Sequence, residues 1–230
     1  MWQTQAKQLT IASCSDHLLT MLFSNIDHLL LGVDRALRVV TGQATARRPS
    51  PALAVQESML SDQEKRLSAG LMRVNHVGEI CAQALYDAQA QFTNTTAISQ
   101  QFTHSGIEEE DHLAWSAQRI AELNSRPSLL TPLWYAGAYL CGTVAARCGD
   151  AASLGFVVET EKQVAAHLAS HLEKLPADDS KSRAIVEQMR IDEIAHGAAA
   201  QSLGASDLPT PVKVTMRAMA KVMTSTAYYI

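Results

Sequence analysis

The chain has 230 residues and a formal charge of −4, enough for one sizeable core and with no cation excess that would recommend nucleic acid as a partner. Ala and Leu are abundant, with Gln, Glu and Met among the other helix formers, and β-branched residues rarely alternate with period two, which argues against a sheet protein and for an all-α fold. Cys14, Cys81, Cys141 and Cys148 show no paired metal-ligand spacing and follow no secretory signal, so reduced thiols in a cytoplasmic setting are expected.

From Asp16 to about Val40, Leu19, Leu22, Phe23, Ile26, Leu29, Leu30, Val33 and Leu37 recur at helical spacing, which predicts an amphipathic helix. Thr41 to Pro51, with Arg47-Arg-Pro-Ser-Pro51, reads as a linker. Ser61 or Asp62 can cap a long helix to about Phe92, and a second runs from about Thr96 to Asn124, stopped near Pro127. Further helices are expected over about Leu129–Arg147, Ala151–Leu175 and Asp179–Leu203, then a loop to Pro211 and a last helix at the C-terminus. These divide the chain into an N-terminal extension with linker (1–60), a bundle (61–205) and a C-terminal amphipathic helix (206–230) packed on the bundle or on a membrane.

No charged residue falls between Pro127 and Ala146, a length that meets the minimum for a membrane span. Pro132, Gly137, Gly142 and the aromatic group Trp134, Tyr135 and Tyr139 favour a buried or membrane-facing helix over a span. In the last helix Lys213, Arg217 and Lys221 form one stripe, with Met216, Met219 and Met223 on the other side. Such a helix either lies on an anionic membrane surface or docks on the bundle with its cations in water.

Two Glu-x-x-His motifs carry the chemistry: Glu109-Glu110-Asp111-His112 and Glu193-Ile194-Ala195-His196. Each is preceded by one more glutamate: Glu79 lies 30 residues ahead of Glu109, and Glu161 lies 32 ahead of Glu193. One such motif is a weak signal; what strengthens the pair is that both midpoints fall in turn sequence, Phe92–Thr96 and Leu175–Ser180. If each half is an antiparallel helix hairpin, its ligands stand level, roughly 22 Å from the turn. Residues three apart share a helix face, so each motif presents a carboxylate and an imidazole together. Four glutamates and two histidines in this order match the dinuclear carboxylate sites of ferritin-like bundles. A ferritin-like four-helix bundle is therefore expected, with a helical crossover joining the hairpins and extra N- and C-terminal helices. The bland alternative is a set of solvated glutamates on amphipathic helices.

Several segments closely resemble the demethoxyubiquinone hydroxylase family: Arg73-Val-Asn-His-Val-Gly-Glu-Ile-Cys-Ala82, Glu109-Glu-Asp-His-Leu113, Arg126-Pro-Ser-Leu-Leu-Thr-Pro-Leu-Trp134, Val158-Glu-Thr-Glu161 through His167, and Asp192-Glu-Ile-Ala-His196. The similarity runs from about Met21 to the C-terminus; Met1–Thr20 match nothing in it, so either they are an upstream extension or Met21 is the start. The resemblance implies a membrane-attached, O2-dependent non-haem di-iron monooxygenase that hydroxylates the ring of a polyprenyl 3-demethoxyquinol in ubiquinone biosynthesis. It implies two Fe ions per chain, held by Glu79, Glu109, His112, Glu161, Glu193 and His196. Among Glu108, Glu109 and Glu110, the offset to His112 selects Glu109; between Glu159 and Glu161, alignment through His167 selects Glu161. Glu109 and Glu193 are expected to bridge the ions, and His167 is the candidate to hold an imidazole from outside, against its being a packed or surface residue. Peripheral attachment to the cytoplasmic side of the cell membrane, a homo-oligomer and other ubiquinone-biosynthesis proteins as partners are expectations of the same kind. Two rivals remain: a ferritin-like protein that oxidises and stores iron, and a di-iron hydroxylase of another substrate.

Overall fold

The computed structural model describes residues 30, 32–56 and 59–230. Most of the helix expected over Asp16–Val40, with Met1–Thr20 and Cys14, lies outside them; positions 32–40 are helical. Two compact units divide between Arg38 and Val39. In the first, Arg38 pairs with Asp34 one helical turn back, at 2.7 Å.

The second unit holds a 3-10 turn, Pro51–Ala54, and six helices: α1 Asp62–Phe92, α2 Thr96–Glu122, α3 Thr131–Arg147, α4 Asp150–Lys174, α5 Ser180–Ser202 and α6 Thr210–Ala227. There is no strand among the described residues. α1 and α2 form one hairpin, α4 and α5 the other, and α3 crosses between them along α1, which gives the ferritin-like helical bundle.

Local chemistry sets the ends of these helices. Ser61 and Glu64 close a capping box at the start of α1, the Ser61 Oγ accepting from the Glu64 N–H at 3.3 Å and the Glu64 carboxylate accepting from the Ser61 N–H at 2.8 Å. α3 begins at Thr131, two residues later than sequence suggests, because Pro132 suits the first turn of a helix. Each hairpin turn is also pinned to the other hairpin. Thr93 and Thr95 donate their hydroxyls to Asp150 at the head of α4. Asp179, which caps α5, takes a hydrogen bond from Arg119 of α2 at 2.9 Å.

Two apolar layers follow from this pairing. One contains Met72, Trp115, Ile120, Leu168, Ile185 and Met189; the other contains Tyr86, Ile98, Phe102, Leu154, Val157 and Ala200. In sequence, the motif residues of all four helices fall between the members of these two layers, so the site is a polar stratum with a packed hydrocarbon layer on either side.

No described helix is long and apolar enough to cross a membrane. α3 buries Tyr135, Gly142, Ala145 and Ala146 while leaving Leu133, Leu140 and Val144 exposed. It is thus a half-buried crossover with an apolar outer face. A Cβ on Gly142 would stand 2.9 Å from the Leu85 carbonyl oxygen and 3.0 Å from the Ala88 Cβ. Gly142→Val should therefore cost about 1–3 kcal/mol through overpacking, read as a lower denaturation midpoint. α6 buries only Ala227 and exposes Val212, Val214, Met219 and Val222. Its far end is held by Arg73, which donates to the carbonyls of Tyr228 at 2.7 Å and Arg126 at 2.8 Å. Leu129 just ahead of α3 donates its N–H to the carbonyl of Ile230, which ties the start of α3 to the segment after α6.

Candidate metal centre

α1 contributes Glu79, α2 Glu109 and His112, α4 Glu161, and α5 Glu193 and His196; all six are buried. They fall into two overlapping groups: Glu79, Glu109, His112 and Glu193, and Glu109, Glu161, Glu193 and His196. Within each group the ligand atoms lie within 4.8 Å of one another. Glu109 and Glu193 belong to both groups, as two bridging carboxylates would.

The donor set fits cations. Glu109 Oε1, Glu161 Oε2, both oxygens of Glu193 and His196 Nδ1 are buried without a hydrogen-bond partner. Buried acceptors are ordinarily satisfied, and here it is positive charge that would satisfy them. Without cations the site balances itself with protons. Burial, then repulsion from Glu109 and Glu193, pushes Glu79 far above the usual carboxylate range; burial and Glu193 do the same to Glu161. Burial alone would lower the two histidines, but the carboxylates facing them outweigh it and hold both well above the usual imidazole value. Glu109 and Glu193 stay low because the imidazoles facing them outweigh their burial. Metal ligation requires all of these groups deprotonated. Loading two divalent ions at neutral pH should therefore release protons from the carboxyl and imidazole groups of the site, and affinity should rise with pH. Calorimetric titration in two buffers of different protonation enthalpy measures this; no net release would mean that the carboxylates are ionised and solvated.

Each imidazole is oriented by a carboxylate from the other hairpin. His112 turns Nδ1 inward, 3.3 Å from Glu79 and Glu109 oxygens, and its Nε2 lies 2.9 Å from Asp192 Oδ2. His196 Nδ1 stands 3.3 Å from Glu109 and 3.4 Å from Glu193, and its Nε2 lies 2.8 Å from Glu108 Oε2. Nε2–H donation to a carboxylate fixes the tautomer and leaves Nδ1 free to ligate. Asp192 is held down at about 2: burial opposes this, and hydrogen bonds from His112 and Arg48 overcome it. On the α1–α4 side, the Tyr86 hydroxyl donates to Glu161 Oε1 at 2.5 Å, and its ring meets His196 edge-on at 5.9 Å.

His167 stands elsewhere. Its ring packs against His171 at 4.0 Å between centroids, and the Nε2 positions of His112 and His196 are filled by Asp192 and Glu108. Those two acids were open to sequence reading, since an acid immediately precedes the glutamate of both motifs. Tyr86 carries no such signal. Nor does Arg48, which binds Asp111 and Asp192 from a segment read as linker. Cys81 Sγ lies 3.9 Å from the Trp134 carbonyl, and burial pushes its thiol up to about 12, so it is packing rather than a nucleophile. Cys81, Cys141 and Cys148 are all free thiols.

Fold and site together define a helical-bundle protein with a buried carboxylate–histidine centre able to hold two metal ions. Residues 66–227 match the family model described as "Ubiquinone biosynthesis protein COQ7". The chain is 62% identical over 207 residues to a 3-demethoxyubiquinol 3-hydroxylase of Herminiimonas arsenicoxydans, covering 90% of this chain and 98% of that protein. Its likeness to the protein of the same name from Herbaspirillum seropedicae is 59% over 205 residues, covering 89% and 99%. For that of Burkholderia thailandensis it is 56% over 211 residues, covering 91% and 100%. The chain belongs to the COQ7 family of ubiquinone biosynthesis proteins.

Proposed function

We propose that this chain is an O2-dependent non-haem di-iron monooxygenase that hydroxylates the ring of a polyprenyl 3-demethoxyquinol in ubiquinone biosynthesis. The observation that carries the reading is the doubled, buried ligand set sharing Glu109 and Glu193, in a chain whose relatives are named 3-demethoxyubiquinol 3-hydroxylase over nearly their whole length. Glu79 and His112 would complete one iron and Glu161 and His196 the other, with the bundle over 61–205 as the catalytic unit. Carboxylate and imidazole suit iron and other divalent ions alike; the hydroxylase activity named for the relatives is what selects iron here. When bound, the iron pair supplies the electrons and the oxygen activation that ring hydroxylation needs.

The chain's own groups do the rest. Asp192 and Glu108 keep the imidazoles in one tautomer and one orientation. Tyr86 holds Glu161 by its hydroxyl proton, on the side where Ala82, Leu85, Val157 and Thr160 line a small gap beside the centre. The apolar layers above and below keep water from the site.

A quinol with a polyprenyl tail lives in the bilayer, so we place the enzyme at the cytoplasmic membrane surface without a span. Its contact would be the exposed apolar residues of α3 and α6, Leu133, Leu140, Val144, Val212, Met219 and Val222, with Lys221 adding charge attraction. Arg217, 3.9 Å from Glu159, and Lys213, paired with Asp207, are partly engaged within the chain. Attachment should accordingly survive high salt and yield to detergent, because salt screens charge and leaves apolar insertion intact. A protein wholly in the soluble fraction that still acts on quinol would refute the interfacial part.

The experiment for the reaction itself is mass spectrometry of quinones in a strain lacking this gene. Build-up of the demethoxy intermediate, relieved by the wild-type chain and not by Glu193→Ala, is expected. An unchanged quinone pool would reject the hydroxylase and favour a storage role.

A further inference from the structure

We propose that Arg48, from the segment ahead of the bundle, is a positioning residue for the metal centre: it clamps Asp192, the acid that orients the His112 imidazole, to Asp111 of α2. The inference rests on the reading of the six buried side chains as a metal site.

The guanidinium spans the gap between α2 and α5. Its Nε donates to Asp111 Oδ2 at 2.6 Å and its Nη2 to Asp192 Oδ2 at 2.9 Å, while Nη1 stands 3.9 Å from Glu108 Oε1. The backbone N–H groups of Arg47 and Arg48 both donate to Asp111 Oδ1, at 2.5 and 3.3 Å. Trp115 then holds the segment from below, its Nε1–H donating to the Arg48 carbonyl at 3.3 Å and its ring lying under the guanidinium at 5.0 Å. The Asp111 side chain is 2% exposed, that of Asp192 12% and that of Arg48 34%. This is a half-sunken clamp rather than a loose surface pair.

Asp192 Oδ2 is the pivot. The same oxygen accepts from Arg48 Nη2 and faces His112 Nε2, both at 2.9 Å, while its partner oxygen is taken by Gln188 of its own helix. Arg48 therefore acts on His112 through one shared atom. On His196 its influence is weaker, because it only approaches Glu108, whose other oxygen bonds that imidazole. Charge gives a second reason. Two divalent cations cancel Glu79, Glu109, Glu161 and Glu193, which leaves Asp111, Asp192 and Glu108 around the rim and Arg48 as a cation within reach of all three. Only a planar, forked donor reaches Asp111 and Asp192 at once, so lysine is an incomplete substitute.

The consequence is asymmetric. Without Arg48, Asp192 is held only by Gln188 and His112, and the group containing His112 loosens before the group containing His196. The test is titration of the metal-free full chain with Co2+ alone, following its visible absorption. Wild type and Arg66→Gln, which removes a cation on the surface of α1, should take two ions with the same affinities and spectrum. Arg48→Gln should bind one ion as wild type does and the other about 10–100-fold more weakly, with an altered band for that ion. Arg48→Lys should recover part of the loss. Asp192→Asn should reproduce the pattern, and the double variant should be no worse than either single one. If Arg48→Gln does not fold, the same reading is made on Arg48→Lys, which keeps the charge. Unchanged affinities and spectrum in a folded Arg48 variant, or equal weakening of both ions, would overturn the proposal. Failure of the wild-type protein to bind Co2+ would instead overturn the metal centre itself.

Discussion

Replacing Glu193 by alanine is expected to strip both metal ions from the protein and end its activity. Glu193 belongs to both ligand groups, its two oxygens are buried without hydrogen-bond partners, and it has no solvent to fall back on. Its loss removes a negative charge and a ligand from each ion at once. Changes to residues that merely orient a ligand cost about 10–100-fold in affinity; removal of a shared ligand should exceed that at both positions. Glu79→Ala is the contrast, since Glu79 belongs to one group only and should chiefly weaken one ion. Glu108→Ala removes the partner of His196 Nε2 and leaves all six ligands, so metal should be retained with affinity reduced within that range. Metal analysis after dialysis separates the three. A Glu193→Ala protein that keeps two ions would mean that the bridging assignment is wrong.

Removal of metal should produce the second large effect, a loss of thermal stability. Four buried glutamates then face one another, and their mutual repulsion is relieved only by protons and by the imidazoles of His112 and His196. Ligand linkage gives about 4 kcal/mol of stabilisation when free metal is a thousand times its dissociation constant. For a chain of this size that corresponds to a rise in melting temperature of roughly 8–16 °C. Differential scanning calorimetry with and without Fe2+ under anaerobic conditions checks it. Equal melting temperatures would return the carboxylates to the status of ordinary solvated side chains.

The helices and their junctions were legible because the signals are local. Ser61 with Glu64 announces the start of α1, the turn residues at Thr93–Thr95 and Pro176–Asp179 separate the hairpin helices, and Pro132 opens α3. The clustering of these side chains was legible because a helix repeats its face every three to four residues, so Glu109 with His112 and Glu193 with His196 declare their pairing without any knowledge of the fold. Glu79 and Glu161 needed one further step, the level placement that a symmetric hairpin imposes. What stayed hidden depends on contacts across elements. Asp192 serves His112, 80 positions away, and Glu108 serves His196 across 88; nothing in either local sequence names the partner. Arg48 is more remote still, in a segment whose Arg, Pro and Ser content spells linker but whose backbone is tied to α2 through Asp111. The outer faces of α3 and α6 show the opposite limit. Their apolar content is plain, yet whether a face is covered by protein is decided by Gly142 fitting against Leu85 and by Arg73 holding the Tyr228 carbonyl.

The most direct measurement of the central claim is a single-turnover reaction of the purified protein, loaded with two equivalents of Fe2+, with a short-tailed 3-demethoxyquinol under 18O2. Mass spectrometry of the extracted quinol is predicted to show one 18O atom in a new ring hydroxyl, with no such product from Glu193→Ala. Oxidation of the iron with the quinol recovered unchanged would contradict the account and leave an iron-oxidising bundle in its place.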